Sequence, residues 1–362
     1  MPAWRALSRA ALVDNLFYEP DFVFAAAGAF GDGVHLLTVF DRVPEESGAR
    51  LLALWPCRVR RRRVLGAPVL AGWSHGFGIF GAPLIAAGEP ERALRALLDA
   101  PRCLGLPPRL MLPYLPLDGP FADALERIRA ERGLRRIDLW RHARGFLDLT
   151  GRIGPARAGY LADALSPSKS RQLARLLRRL GAGEPVRHET VREPAELAPA
   201  LDDYIALEAA GWKGRSGTAI AHHPKEMAFL HAVASAYGAR GEFRIDHLRR
   251  GDKSLAASIA LRTGASFWYL KISHDETEAR NSPGAQLVHH VTRTILDDIG
   301  IAIADSCAPP DLRLITTFWT ERRRLGLGFI EAGGGDPWFP VAVGLERLRA
   351  RVAQALTRLR PT

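Results

Sequence analysis

The segment GWKGRSGTAI, residues 211–220, combines ligand-binding side chains with glycines that interrupt regular structure. Its indole, ammonium, guanidinium and hydroxyl groups follow neither the two-residue period of a strand nor the 3.6-residue period of a helix. A Trp outside a core pattern needs another surface to cover it. We therefore predict a ligand-facing loop in which Trp212, Lys213 and Thr218 contact a substrate. The alternative is that Trp212 fills a gap between two domains.

A second segment suited to chemistry is SHDETEARNSPGAQLVHH, residues 273–290, where a predicted strand ends and Ser-Pro-Gly begins a helix. The first N–H groups of a helix have no intrahelical partner and lie at the positive end of its dipole, so they attract anions. This pattern predicts a phosphate-binding turn, and its alternative is an ordinary capped helix start. The backbone of this turn comprises Ser282, Gly284, Ala285, Gln286 and Leu287.

The elements that must position these segments are predicted by hydrophobic periodicity and by Pro and Gly at the joins. In the first half, residues 34–40 and 49–59 indicate a hairpin, and a further strand at 109–116 lies between helices at 89–100 and 121–133. An extended run follows at 137–149. The patternless TGRIGPARAGY, residues 150–160, indicates a domain boundary.

The second half begins with a strongly marked helix at 165–181, which has Ser166 as its N-cap and Gly181 as its stop. Its polar face carries five cations, which are either solvated or form a basic rim for an anionic ligand. Three strands in series predict an antiparallel meander. The remaining predicted elements are a strand at 186–191, helices at 195–210 and 224–238, strands at 243–250, 254–263 and 266–274, a helix at 285–300, a strand at 301–306, a helix at 311–326 and a strand at 328–333.

Composition and charge limit the number of domains and the kinds of ligand that the chain is expected to bind. The chain has 362 residues, 47% of them hydrophobic, which suits two domains with their own cores. Its net charge is +11, but only five of its 50 basic residues are Lys, which indicates a GC-rich genome more than a nucleic-acid site. Three cysteines without a CxxC pair, and His289 beside His290, indicate neither a disulfide framework nor a metal site.

No signal peptide or membrane-spanning run is recognisable, so we expect a cytoplasmic protein. Two basic segments would allow contact with the inner face of the membrane. They are CRVRRRRV at 57–64 and the amphipathic helix at 344–360, but for this helix packing on the second domain is the favoured prediction and membrane contact the alternative. The predicted organisation is an N-terminal domain at 1–150, a catalytic domain at 160–340 and a basic C-terminal helix at 341–362.

The order of the second half, a meander, a phosphate-type turn, a helix, a strand, a helix and a strand, resembles the GNAT acyltransferases. Much of the chain resembles the BioF2-like or cellulose-biosynthesis-type acetyltransferases, which are related to the Fem aminoacyl transferases. The segments that carry this resemblance are LSPSKSRQLARLLRRL, LEAAGWKGRSGTAI and FWYLKISHDETEARNSPGAQL, with the spacing from Asp305 to Trp319. The resemblance implies an α/β (α+β) fold of two tandem GNAT-like units, with mostly antiparallel mixed sheets, the first unit degenerate.

The resemblance also implies a reaction: transfer of an acyl group from acetyl-CoA or another acyl-CoA, without a metal, to an amine of a sugar, polysaccharide or lipid precursor. Residues 282–287 would then hold the CoA pyrophosphate, and Trp212, Lys213, Thr218 and Trp319 the acceptor. Candidates for proton transfer or carbonyl polarisation are Lys271, His274, Glu208 and Asp305, each of which also has a structural interpretation.

Two alternatives come from other functional classes. The usual donor loop is only partly kept, because Arg280 and Gly284 match it but no glycine stands at 286. An aminoacyl-tRNA donor of the Fem type is therefore one alternative, and the only one that involves nucleic acid. The other is a non-catalytic binding protein with this fold. Oligomeric state and acyl length are not predicted.

Overall fold

A computed structural model of the chain describes residues 1–61, 67–310 and 312–358, with side chains up to residue 349. Part of the basic segment 57–64 and the end of the C-terminal helix therefore lie outside the described residues. In the first half the elements are α1 (Pro2–Arg9), a 3-10 turn (Leu16–Tyr18), α2 (Pro20–Phe30), β1 (His35–Phe40), β2 (Leu51–Arg60), β3 (Val69–Gly72), β4 (Leu84–Ile85), α3 (Pro90–Cys103), β5 (Arg109–Pro116), α4 (Pro120–Glu131) and β6 (Arg136–Asp148).

The second half begins with two short helices and ends with a long one. Its elements are α5 (Gly154–Ala158), α6 (Tyr160–Ala164), α7 (Pro167–Leu180), β7 (Val186–Val191), α8 (Pro194–Ala210), α9 (Trp212–Arg215), a 3-10 turn (Ile220–His222), α10 (Pro224–Gly238), β8 (Phe243–Arg250), β9 (Lys253–Thr263), β10 (Ser266–His274), a 3-10 turn (Glu276–Asn281), α11 (Pro283–Asp297), β11 (Ile303–Asp305), α12 (Arg313–Thr316), β12 (Glu321–Glu331) and α13 (Phe339–Arg358).

Local sequence signals set the bounds of α7 as predicted. The Ser166 hydroxyl accepts a hydrogen bond from the Lys169 N–H at 3.3 Å, and Pro167 begins the helix without leaving a donor unpaired. Leu173 and Leu176 are buried on one face, and the helix ends at Gly181. This N-cap and this apolar stripe explain why the helix could be predicted from sequence.

The helix predicted at 311–326 is wrong. Only Arg313–Thr316 is helical, and the chain from Glu321 onward is the strand β12, which pairs antiparallel with β5. Gly326 and Gly328 disfavour a helix, and the alternating exposed and half-buried positions at the start of β12 follow the two-residue period of a strand. Tertiary pairing therefore overrides the helical spacing of the apolar residues before it.

The described residues divide into two compact units. The first unit contains residues 1–20, 31–142 and the chain from 324 onward, and the second contains 21–30 and 143–323. The sequence-based boundaries were placed at 150–160 and 340 instead. No helix among the described residues is long and apolar enough to cross a bilayer.

In the first unit, β5 pairs in parallel with β3 and antiparallel with β12, and β2 pairs antiparallel with β1, β3 and β4. Helix α13 packs on this unit, so its predicted packing on the second domain is wrong. Its Phe339, Ala342 and Val343 are buried with Val69 and Met111. The helix was misassigned because β12, the strand before it, pairs within the first unit.

In the second unit, β7, β8, β9 and β10 form an antiparallel series, and β10 pairs in parallel with β11. The end of β6 then pairs antiparallel with β11. Helices α7 and α11 pack on the sheet through buried residues such as Leu173, Leu287 and Val291. The predicted α/β class, with mostly antiparallel mixed sheets, is confirmed.

The two units repeat one strand pattern. Two antiparallel pairings and then a parallel one connect β1, β2, β3 and β5, and the same sequence of pairings connects β8, β9, β10 and β11. In each unit the last of these strands pairs antiparallel with a strand from the other half of the chain, β12 or β6. The chain is thus built from two related α/β units.

Buried histidines make the stability of this fold depend on pH. Burial lowers the pKa of His75 to about 3, and burial with neighbouring cations or histidines lowers the pKa of His188 and His247 to about 4. An unfolded His titrates near pH ~6.5, so the unfolded chain binds more protons below that pH. The stabilisation by neutral histidines is complete above pH ~6.5 and is lost as the pH falls towards 4.

We therefore expect the free energy of unfolding, measured in urea, to fall steeply between pH ~6.5 and ~4. His247→Asn retains a group that can reach the Ser254 hydroxyl, 3.0 Å from the His247 Nδ1, and should reduce that slope by about 1–3 kcal/mol over the range. The matched control is the exposed His222→Gln, which should leave the slope unchanged. Equal slopes in both variants would contradict this assignment.

Candidate active site

Glu208 is the buried anchor of the segment 211–220. It lies in the last turn of α8 and its exposure is 1%. One carboxylate oxygen forms an ion pair with the Lys213 ammonium, and the other accepts the Ile220 N–H at 2.9 Å. Because both oxygens bind groups in the same segment, Glu208 closes that segment into a compact loop.

Glu276 holds the segment from outside. It lies in the 3-10 turn after β10, and its carboxylate accepts the Trp212 N–H at 2.7 Å and the Arg215 guanidinium at 2.5 Å. Sequence analysis did not identify Glu276, although an acidic residue directly after a central strand is a visible signal. The indole of Trp212 is 60% exposed, so it does not belong to the core.

Glycine is required at two positions of the segment 211–220 for different structural reasons. A Cβ on Gly214 would lie 1.7 Å from the Ala209 carbonyl oxygen, so no larger residue fits there. Gly217 has a φ of +73°, which L-residues rarely adopt. The predicted irregular loop nevertheless contains one helical turn, α9, because capping by Glu276 compensates for its low helix propensity. Thr218 is exposed, and its N–H donates to the Lys213 carbonyl at 2.9 Å.

Lys271 lies on β10 directly after a bulge between Tyr269 and Lys271. Burial and the positive charge of Lys213 lower the pKa of its ammonium to about 8, against the opposing charges of Glu208 and Glu226. A substantial neutral fraction therefore exists near neutral pH. The structure brings together Lys271, Lys213 and Glu208, which the sequence had proposed independently, and adds Glu226.

Strands β10 and β11 part beside this cluster. Their parallel register covers three pairs and ends at Trp268–Asp305, whereas β10 continues to His274. The backbone of β10 beyond Trp268 therefore has an edge that β11 does not pair. Such an edge can bind an extended ligand through main-chain hydrogen bonds.

The start of α11 lies next to His274. A Cβ on Gly284 would be 3.5 Å from the His274 Nδ1 and 3.6 Å from the Leu314 Cδ2, which are ordinary contact distances. Ser282, just before the helix, has a left-handed backbone with φ of 53°, a conformation that costs energy for a residue other than Gly. Gly284 is therefore buried beside His274 and Leu314, and the half-buried Ser282 lies just before it.

Several groups proposed for phosphate binding already have other partners. The N–H groups of Ala285 and Gln286 donate to the Ser282 carbonyl at 3.0 and 3.2 Å. The Gln286 side chain is buried and donates to the Leu173 carbonyl at 2.8 Å, and Leu287 is part of the core. The surface that remains for a ligand is therefore narrower than the sequence suggested and centres on the half-buried Ser282, since Gly284 is buried.

Asp305 and Trp319 lie in the buried interior of the second unit. The Asp305 carboxylate binds the Arg144 guanidinium at 2.6 Å, Arg323 at 2.7 Å and the Cys307 N–H at 2.9 Å. The Trp319 indole N–H donates to the Thr292 hydroxyl at 2.9 Å. Each is 1% exposed. These contacts give both residues structural roles, which the sequence pattern could not distinguish from site roles.

Trp319 is buried and Trp212 is exposed, so we predict that replacing them has different effects on stability. Trp319→Ala should destabilise the fold by about 3–5 kcal/mol, because it removes a buried indole and leaves a cavity. Trp212→Ala should change stability by less than about 1 kcal/mol, because most of its indole already contacts solvent. Thermal and urea unfolding of both variants measures this difference. A large loss in Trp212→Ala would mean that its indole has a structural partner.

The comparisons with known proteins agree with this geometry. Residues 167–308 match the family model described as an acetyltransferase (GNAT) domain. No curated protein sequence matches the chain significantly. Two solved structures each reach a TM-score of 0.57. One is the C-terminal domain of a putative lysylphosphatidylglycerol synthetase from Agrobacterium fabrum, at 13% identity over 96% of this chain and 94% of that one.

The other is FemX, at 8% identity over 91% of this chain and 95% of that one. A conserved protein of unknown function from Bacteroides thetaiotaomicron reaches a TM-score of 0.54 at 12% identity, with 91% and 96% covered. At such identities the likeness establishes the fold alone. The family match places an acetyltransferase (GNAT) domain at residues 167–308, and the similar structures show that this chain shares their fold.

Proposed function

We propose that the protein is an acyl-CoA-dependent N-acyltransferase that acts on an amine of a sugar, polysaccharide or lipid precursor. The observation that carries this proposal is the position of Lys271. This half-buried amine with a lowered pKa lies on the part of β10 that extends beyond β11, near the charges of Lys213, Glu208 and Glu226. A thioester bound along that strand would lie next to a group able to accept a proton.

The donor would bind along β10. The pantetheine arm of CoA contains two amides, which can pair with the unpaired edge of β10 as an added strand would. Its pyrophosphate would then reach Ser282 and Gly284 at the positive end of the α11 dipole. The exposed Arg171 and Arg175 lie on α7, the helix that Gln286 ties to the start of α11, and would add positive charge for the phosphates.

The acceptor would approach from the segment 211–220. Its amine nitrogen attacks the thioester carbonyl carbon, a C–N bond forms, the C–S bond breaks, and CoA leaves as a thiolate. Neutral Lys271 takes the proton that the nitrogen loses, and that proton then neutralises the thiolate. Trp212 and Lys213 would contact the rest of the acceptor, while Glu208 and Glu276 hold their backbone in place.

His274 and Thr218 have positional roles in this proposal. His274 lies against Gly284, where it would contact the donor and not the amine. Thr218 supports the turn that carries Lys213. Asp305 and Trp319 are left out of the proposed site because their polar groups are already engaged in the interior.

The donor site is tested by calorimetry and thermal shift with CoA and acetyl-CoA. We expect binding to the unaltered protein and a rise in its melting temperature, because a ligand that binds only the native state stabilises it. Gly284→Val should weaken binding about tenfold or more, since its added methyl groups would occupy the space beside His274. Gly28→Val, in a helix with open space around that position, is the matched control. Equal affinities in the two variants would refute the assignment.

The role of Lys271 is tested by the pH dependence of turnover with a fixed amine. The rate should rise with pH and reach half its maximum near the Lys271 pKa of about 8, because only the neutral amine accepts a proton. Lys271→Met should lower kcat by about 10²–10⁴. Glu226→Gln, which removes a charge that raises this pKa, should move the midpoint to lower pH. An unchanged midpoint in Glu226→Gln would show that another group titrates.

A second candidate keeps the same site but takes its acyl group from an aminoacyl-tRNA. The narrow anion surface at Ser282–Gly284 and the net charge of +11 favour it. It predicts that purified protein carries RNase-sensitive nucleic acid, visible in the ratio of absorbance at about 260 and 280 nm, and that CoA does not raise the melting temperature.

A further inference from the structure

The first unit contains an aromatic residue, Tyr114, with a strained backbone conformation. Tyr114 has a φ of 53°, a left-handed conformation that bulky residues rarely adopt. It lies at a bulge in β5, because Pro113 and Tyr114 face a single residue, Leu327, between the pairs Leu115–Gly326 and Leu112–Gly328. Bulges of this kind redirect a side chain and are common beside binding sites.

The redirected ring of Tyr114 meets two others from β6. Its centroid lies 5.5 Å from that of Trp140 and 6.0 Å from that of His142, edge-on to both. Trp140 and His142 are 5.0 Å apart and tilted by 31°. All three side chains are partly exposed. We call these three residues the aromatic platform.

The platform lies on one face of the sheet. Ile137 and Leu139 of β6 and Leu327 of β12 pack against the buried cluster under α13. Because side chains alternate along a strand, Asp138, Trp140 and His142 lie on the opposite face. On β12 the corresponding positions are Gly326 and Gly328, which bear no side chain. The side chains of Leu115 and Leu117 lie over these glycines, so the sheet beside Trp140 is covered by apolar groups.

Polar groups border the platform on the same strand. Asp138 is held by Arg136 at 3.0 Å and by Arg141 at 2.7 Å. Its two carboxylate oxygens retain further lone pairs, and each guanidinium retains further donors. A pyranose ring has C–H groups on its faces and hydroxyl groups around its edge. An aromatic side chain can pack against the C–H groups, while a neighbouring carboxylate and guanidinium can form hydrogen bonds with the hydroxyls.

We propose that the aromatic platform with Asp138 binds the sugar ring of a carbohydrate. The geometry favours a sugar over a flat heterocycle such as a nucleobase. A nucleobase stacks flat over the full face of an aromatic ring, whereas here Tyr114 is edge-on to its two neighbours and Trp140 and His142 are tilted against each other. A pyranose needs only one exposed aromatic face for its C–H groups and a polar edge for its hydroxyls. This site lies in the first unit and does not depend on the proposed acyl transfer.

Calorimetry with cellotetraose and chitotetraose, and with adenosine as the competing ligand class, tests the proposal. We expect at least one oligosaccharide to bind at millimolar concentration or below, and adenosine not to bind. Trp140→Ala should weaken that binding about tenfold or more. The matched control is Trp338→Ala, another exposed Trp of the same unit, which should bind as the unaltered protein does.

Because the Tyr114 backbone is strained, a substitution at this position can distinguish an effect on ligand binding from an effect on stability. Tyr114→Gly removes the ring but suits the left-handed backbone, so its melting temperature should be equal or higher while oligosaccharide affinity falls. Tyr114→Phe should retain the affinity. Failure of both oligosaccharides to bind, affinity unchanged in Trp140→Ala and Tyr114→Gly, or saturable binding of adenosine alone would each overturn the proposal. CoA binding, measured in the same samples, shows whether the acyltransferase site is intact.

Discussion

The buried carboxylate of Asp305 determines the geometry of the second unit. It joins Arg144 of β6 to Arg323 of β12 at the residue where β11 stops pairing with β10. Removing one partner of such a buried pair costs about 3–5 kcal/mol, so the end of β11 is firmly held there. Burial would raise the pKa of this carboxyl, but the two guanidinium charges hold it below its usual range. The parting of β10 and β11, and with it the open edge beside Lys271, follows from this anchor.

A second pair of carboxylates controls what faces that edge. Glu208 binds the segment 211–220 from the protein interior, and Glu276 binds it from the turn after β10. Glu208 and Lys213 also act on the pKa of Lys271 in opposite directions, because the Lys213 ammonium lowers it and the Glu208 carboxylate raises it. The contacts of Glu208 and Glu276 thus hold the glycine-rich segment in place, and the charges of Glu208 and Lys213 shift the pKa of the nearby Lys271.

The two units share a strand pattern but differ at the helix that follows the third strand. In the second unit α11 begins with Pro283 and Gly284 and has no acidic residue in its first turn. In the first unit α3 begins after Glu89, with Glu91 in its first turn, and these carboxylates bind Arg50, Arg92 and Arg127. Because arginines bind both carboxylates, the charges at this helix start are paired within the protein. The two units therefore share the sheet but differ in the charges at this helix start, and the bulged strand β5 of the first unit carries the aromatic platform.

Short-range sequence patterns determined most of the helices and strands and the residues at which they begin and end. The Ser166 cap, the Pro at the starts of α8, α10 and α11, and the alternation in β8 to β10 are short-range signals, so helix and strand bounds could be predicted with the α/β class. Lys271, Lys213 and Glu208 could be proposed as well, because unusual residue types stood outside any core pattern. Sequence analysis missed β3 and β4, which are short, and Tyr114, whose strain exists only in the bulge.

Only the tertiary structure decided which strands from the two halves of the chain pair with each other and which charged side chains form ion pairs. The helix predicted at 311–326 includes the first part of β12, whereas the strand predicted at 328–333 includes its end. The error arises because the pairing partner of β12, β5, lies some 200 residues earlier in the chain, and local propensity carries no information about such pairing. Asp305 was proposed for the site because the arginines that neutralise it come from strands at 144 and 323. Burial and long-range charge pairing depend on the whole fold, and for that reason the sequence alone could identify reactive residue types but not which of them remain available to a substrate.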